Sequence, residues 1–162
     1  MGRPGRLPKY DYSSEGCYFI TFCAEMRKEL LSDIVGHDDL GVPSVHLRTA
    51  GECLKRYIDG IPEAYPGTAI HKYVIMPNHV HLLLSINARE GVPRSSRPTQ
   101  TVPRIVAALK RFVNKDVGYN VWQSTYHDHV IRNEEDYLRI WQYIDTNPAK
   151  WQEDCYYTEV EC

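Results

Sequence analysis

The chain has 162 residues, of which 43% are apolar and 25% charged, and its formal net charge is −2. That length suits one domain with its own core, and that composition is of an ordinary soluble globular protein rather than a fibrous or disordered one. No apolar run approaches a membrane span, no signal-peptide segment opens the chain, and a faintly acidic balance gives no global attraction to nucleic acid.

Residues 1–9 carry Arg3, Arg6 and Lys9 among glycines and prolines and read as a basic tail without periodicity. Gly16 to Ala24 has the aromatic and β-branched character of a strand, with Tyr18, Ile20 and Phe22 on one face and Cys17, Phe19, Thr21 and Cys23 on the other. Residues 25–44 are polar, contain Gly36, Gly41 and Pro43, and read as a connection with no visible strand. Val45 to Tyr65 repeats apolar residues at roughly helical spacing, with Ser44 as the expected cap.

Thr68 to Met76 and Val80 to Ile86 read as two strands joined by the turn residues Pro77 and Asn78. His79 and His81 are two residues apart, so a strand puts both imidazoles on one face and Val80 and Leu82 on the other. Their place beside the turn predicts histidines near the surface. They are candidate metal ligands, although a divalent ion needs at least one more.

Residues 87–100 are rich in Gly, Pro, Ser and Arg and predict a loop; Val102 to Val117 predicts a helix. Between Arg89 and Lys115 there are seven basic residues and one acid, whereas Asp128 to Cys162 holds nine acids and three bases. The near-zero total therefore conceals a basic stretch. Arg94, Arg97, Arg104, Lys110, Arg111 and Lys115, with Arg3, Arg6 and Lys9, are the candidates for phosphate contacts. Val121 to Ile131 predicts a loop and a short strand holding a second pair, His127 and His129. Asn133 is placed to cap a last helix, Glu134 to Thr146, which has acids in its first turn and ends before Pro148. Tyr143 and Asn147, four residues apart, share one face of it. Laid across the sheet, that face could bring an amide oxygen and a phenol to the histidine pair. Residues 149–162 form an acidic extension, and the five cysteines, 17, 23, 53, 155 and 162, include no Cys-x-x-Cys pair, which suits structural thiols in a reducing cytoplasm.

The order of elements predicts one domain over 1–162, α+β and ferredoxin-like, a mostly antiparallel sheet with helices on one face. Met76-Pro-Asn-His-Val-His-Leu-Leu83 resembles the two-histidine HUH motif of single-tyrosine transposases, in particular the REP-associated tyrosine transposases. The likeness extends to Leu7–Cys23, to Val121-Trp-Gln, to His129-Val-Ile-Arg-Asn133 and to Tyr143-Ile-Asp-Thr-Asn-Pro148, in the family's order and over nearly the whole chain. It implies the same ferredoxin-like fold. It also implies Tyr143 as nucleophile, Asn147 completing a metal site with His79 and His81, and His127 and His129 lying outside that site. The implied activity is nicking and rejoining of DNA through a 5′-phosphotyrosine, on single-stranded or hairpin DNA with a short single-stranded flank. Two imidazoles and an amide oxygen are neutral ligands, and with phosphate they suit Mg²⁺ or Mn²⁺. Two other readings fit the residues: a non-catalytic nucleic-acid-binding module stacking bases on Tyr18, Phe22 or Tyr73, and a metal-dependent hydrolase with water as nucleophile. A monomer and a homodimer are both compatible with the sequence, and no membrane partner is expected.

Overall fold

A computed structural model describes residues 16–36, 43–87 and 98–153. Strands β1 (Gly16–Cys23), β2 (Ser32–Val35) and β3 (Ser44–Leu47) come first, then helices α1 (Thr49–Asp59) and α2 (Ile61–Ala64). Strands β4 (Thr68–Ile75) and β5 (His79–Ile86), helix α3 (Pro98–Val117), strand β6 (His127–Ile131) and helix α4 (Glu134–Thr146) follow, and a 3-10 helix spans Pro148–Glu153. The main sheet has the order β4-β5-β1-β6 with every pair antiparallel. With α1 and α3 as the two crossovers, this is the split βαβ arrangement of ferredoxin-like folds. Strands β2 and β3 pair with each other as a separate ribbon. No helix among the described residues is long and apolar enough to cross a membrane.

Side-chain alternation divides the core. Tyr18, Ile20 and Phe22 of β1 and Val80, Leu82, Leu84 and Ile86 of β5 pack with α1 and α3. Cys17 and Leu83 point the other way, to Ile131 of β6 and to Ile140 and Ile144 of α4. Helices therefore cover both faces, not one as the element order suggests. A sheet whose central strands β1 and β5 are apolar on both sides needs two covers. This also removes Tyr18 and Phe22 as open stacking platforms, since both are buried in the larger core, and the Tyr73 hydroxyl donates to Asp59 at 2.9 Å.

Two segments depart from the sequence reading. The expected helix over Val45–Tyr65 starts with a strand instead: Val45 and Leu47 alternate with Ser44 and His46 at period 2 and pair with Ile34 and Ser32. The expected connection over 25–44 accordingly contains the partner strand. Helix α1 begins only at Thr49, with extended Arg48 in the cap position, and α2 follows after Gly60. Helix α3 starts at Pro98 rather than Val102; proline is tolerated there because the first-turn N–H has no partner inside a helix.

Gly51 lets α1 approach the chain before β2. A Cβ at this position would overlap the carbonyl oxygen of Leu31, which accepts from Arg48 N–H at 2.9 Å. In an ordinary helix interior Gly→Ala stabilises by about 0.8–1 kcal/mol. Here Gly51→Ala is expected to destabilise by about 1–3 kcal/mol, as overpacking does. Urea denaturation checks the sign, and a gain in stability would mean that α1 sits further from Leu31.

Candidate active site at the head of the β4–β5 hairpin

The hairpin turns through Pro77 and Asn78, with Met76 N–H donating to the His79 carbonyl at 2.8 Å. The turn is clamped from outside. Leu31 N–H donates to Pro77 O at 3.0 Å, Ala24 N–H to Asn78 O at 2.8 Å, and the Asn78 amide to Arg27 O at 3.2 Å. Antiparallel register then sets His81 opposite Thr21 and His79 opposite Cys23, on the face that carries α4.

Both histidines are buried, His79 at 0% exposure and His81 at 1%, in contrast to the near-surface placement expected from the turn. The end of α4 and the 3-10 helix cover them. The Tyr143 ring lies against His81 with centroids 5.2 Å apart, and the Trp151 ring lies 5.9 Å from that of His79. Asn147 falls midway between these two contacts, four residues from each. Asn133 caps α4 through its side chain, accepting from Asp136 N–H at 2.8 Å, as the sequence predicts.

The Nε2 atoms of His79 and His81 are 3.1 Å apart. Two nitrogens bonded at about 2.1 Å to one ion lie about 3.0 Å apart at a right angle and about 3.4 Å apart at the tetrahedral angle. The observed spacing fits one edge of either polyhedron. The Asn78 side-chain oxygen can only accept, so the 2.8 Å contact assigns the His79 proton to Nδ1 and leaves Nε2 as an acceptor. His81 Nδ1 is 2.7 Å from the Thr21 hydroxyl, which can donate or accept. Thr21 thus accommodates either His81 tautomer, including the one that turns both Nε2 lone pairs to a shared cation. Burial, and then the neighbouring His79, hold the His81 pKa well below 6.5, so the ring is neutral at pH 7.

Asn147 is 3% exposed, and its Oδ1 has no hydrogen-bond partner among the described residues. A stranded buried acceptor costs about 1–3 kcal/mol. A cation held with the histidines would satisfy it, and His79, His81 and Asn147 fit Mg²⁺ or Mn²⁺ as a neutral donor set. No group of three His, Cys, Asp or Glu side chains clusters for a metal among the described residues.

Tyr143 is 39% exposed and lines an open pocket of about 320 Å³ with Phe19, Thr21, His81, His129 and Arg139. The sequence reading missed Thr21 and Arg139. It placed His129 apart from the metal ligands, and the register sets it opposite Phe19, on the pocket's face of the sheet. His129 Nε2 donates to the Asp136 carboxylate at 2.6 Å.

Arg3, Arg6, Lys9, Arg94 and Arg97 lie outside the described residues. Arg104, Lys110, Arg111 and Lys115 stand on α3, behind the sheet as seen from Tyr143. The Lys110 ammonium donates to the carbonyls of Gln123 at 2.7 Å and Thr125 at 2.9 Å, which ties α3 to the loop before β6.

The chain matches no family model. A Haemophilus influenzae protein described only as uncharacterized is 33% identical over 95% of this chain and 92% of its own length. A second protein of that organism, named "Putative REP-associated tyrosine transposase", is 24% identical over 86% of this chain and 74% of its own. The chain thus resembles a REP-associated tyrosine transposase in sequence. Its fold agrees with that of a REP-associated tyrosine transposase solved bound to a REP hairpin, with a TM-score of 0.60 and 23% identity over 91% of this chain and 74% of that one. A Deinococcus radiodurans crystal structure described as a transposase by assignment only shares the fold at TM-score 0.51, with 19% identity over 87% of this chain and 95% of the other.

Two outcomes follow for this site. Adding Mn²⁺ at about 100 times its dissociation constant is expected to stabilise the protein by about 2.7 kcal/mol. The gain should vanish in His79→Ala/His81→Ala and shrink in Asn147→Ala. An equal thermal shift in all three proteins would place the ion elsewhere. Because both rings are buried, His81→Ala alone should cost about 1–3 kcal/mol by stranding the Thr21 hydroxyl.

Without metal, stability should fall as pH drops below about 6.5. Burial lowers the proton affinity of both His81 and His71 in the fold. Below the ordinary value of 6.5 the unfolded chain binds more protons than the native one, so acid favours unfolding; above it both rings are neutral in both states. Denaturation midpoints that stay level from about pH 7.5 to about pH 5 would contradict this.

Proposed function

We propose that the chain is a metal-dependent single-strand DNA endonuclease and strand-transferase that works through Tyr143. The observation that carries this reading is the packing of the half-exposed Tyr143 ring against the buried ring of His81, with Asn147 one helical turn further on. The phenol can meet a DNA strand from outside while the histidines stay behind it.

The chemistry is exchange at phosphorus. The Tyr143 oxygen forms a bond to a backbone phosphorus, and the bond from that phosphorus to the 3′ oxygen breaks. The phenol loses its proton and the 3′ oxygen gains one, leaving a 5′-phosphotyrosine and a free 3′-hydroxyl. One phosphodiester replaces another, so the energy for rejoining is kept in the covalent link. A phenol titrates near 10 and is a weak nucleophile at neutral pH. Mg²⁺ or Mn²⁺ held by His79, His81 and Asn147 would supply charge neutralisation at the phosphate. His81 contributes a neutral, desolvated nitrogen, and the Thr21 hydroxyl, 2.7 Å from Nδ1, holds the ring in place. Phe19, edge-on to Tyr143 at 6.1 Å, restricts the swing of the phenol.

The substrate is proposed to be hairpin DNA with a single-stranded flank, since a phenol on a helix surface reaches a backbone only where the strand is open. The solved relative bound to a REP hairpin supports this choice. Arg3, Arg6, Lys9, Arg94 and Arg97 remain proposed phosphate contacts. Arg104, Arg111 and Lys115, exposed on α3, would meet only DNA that continues around the molecule.

Hairpin oligonucleotides with a randomised single-stranded flank, incubated with the protein and Mn²⁺, should give an adduct that survives denaturing electrophoresis. Peptide mapping should place it on Tyr143. Tyr143→Phe should bind the same DNA and keep its fold, since one lost hydrogen bond costs about 1 kcal/mol, but form no adduct. Cleavage by the wild type without any adduct would favour water as the nucleophile. Tyr137 is the internal control: its hydroxyl is 2.7 Å from His71 Nδ1 and it is absent from the pocket lining.

A further inference from the structure

Arg139 lies one helical turn before Tyr143 on α4, and both side chains line the same pocket. Its side chain is 68% exposed, so it is not held there by packing. Its Nη2 donates to one oxygen of Asp136, whose other oxygen accepts from His129 Nε2. Asp136 is half-buried, and burial alone would raise its pKa. The hydrogen bonds from His129 and Arg139 outweigh that and keep it ionised. The carboxylate therefore acts as a bracket that presents the Arg139 guanidinium and the His129 imidazole at the mouth of the pocket.

Among the described residues, few cations line the pocket. His81 is neutral, Asp145 is paired with Lys72 at 2.8 Å, and Arg139 and His129 are the basic side chains that line the pocket besides His81. An arginine uses one edge of its planar fork for one carboxylate and keeps further N–H donors for a second anion. The site proposed for the scissile phosphate lies between the histidines on the sheet side and this bracket on the helix side.

We propose that Arg139, bracketed by Asp136, grips a non-bridging oxygen of the phosphate that Tyr143 attacks, on the side away from the metal ligands. This rests on the reading of Tyr143 as nucleophile. It assigns a substrate contact to a segment whose overall charge is strongly acidic. Asp136 contributes as a positioning residue, not by touching the DNA.

The test uses the oligonucleotide that the wild type cleaves, resynthesised with a single neutral methylphosphonate at the cleaved linkage, each diastereomer separately. On the natural linkage, Arg139→Ala should form adduct about 10²–10³-fold more slowly, the effect of losing a donor to developing charge. Arg139→Lys should fall between the two. On the methylphosphonate isomer that lacks the gripped oxygen, wild type and Arg139→Ala should react at rates within about threefold of each other, because the partner of the guanidinium is gone. A purely structural loss would persist on that neutral linkage, so an unchanged ratio there overturns the proposal. Wild-type rates for Arg139→Ala on the natural linkage also overturn it. A wild type that forms no adduct on any hairpin removes the Tyr143 reading, and this inference with it. Thermal denaturation of Arg139→Ala should match the wild type, as expected for an exposed side chain.

Discussion

The antiparallel register between β1 and β5 governs this structure. It sets Thr21 opposite His81 and Cys23 opposite His79, and it sends Val80, Leu82 and Leu84 to the other face. Side chains alternate strictly along a strand, so a slip of one residue would drive both imidazoles into the core under α1 and α3 and turn three large aliphatics toward α4. The apolar side chains thus hold the polar ones in place. The clamps on Pro77 and Asn78 remove the remaining freedom at the turn, where the first histidine begins the strand.

Burying two imidazoles is costly, and the surroundings show how the fold meets that cost. Each Nδ1 has a named partner, Asn78 for His79 and Thr21 for His81, and desolvation keeps the His81 ring neutral. Neutrality is also what ligation requires, because only the neutral ring has a lone pair to give. Asn147 is the exception: its buried oxygen has no partner among the described residues. A buried acceptor left unsatisfied is a poor structural element but would serve as a third ligand. Tyr143 differs again, with its ring on His81 and two-fifths of its surface open. The site therefore grades from a dry interior to a wet rim over one turn of α4.

Much of this was legible in local chemistry. The alternation in β1 and β5, the Pro77–Asn78 turn, the Asn133 cap and the Pro148 stop are each encoded within a few residues, and the structure has all four. What was not legible depends on chain segments that meet from a distance. Val45 and Leu47 fit either period, and only pairing with β2 decides for a strand. The burial of His79 comes from Trp151, seventy-two residues later in the sequence, so no reading of the hairpin alone could find it. Arg139 was hidden by its neighbours: a count of charges along 128–162 records acids, whereas in space Asp136 is already paired and Asp145 is engaged by Lys72. Nor could the sequence show that the basic residues of α3 stand on the face of the sheet opposite Tyr143.

The central claim is that His79, His81 and Asn147 hold one divalent ion beside Tyr143. A crystal of the protein grown with Mn²⁺ and measured near the manganese absorption edge tests it directly. The account predicts one anomalous peak bonded to Nε2 of both histidines and to Oδ1 of Asn147. A peak that excludes Asn147, or ordered manganese only at surface carboxylates, would contradict it.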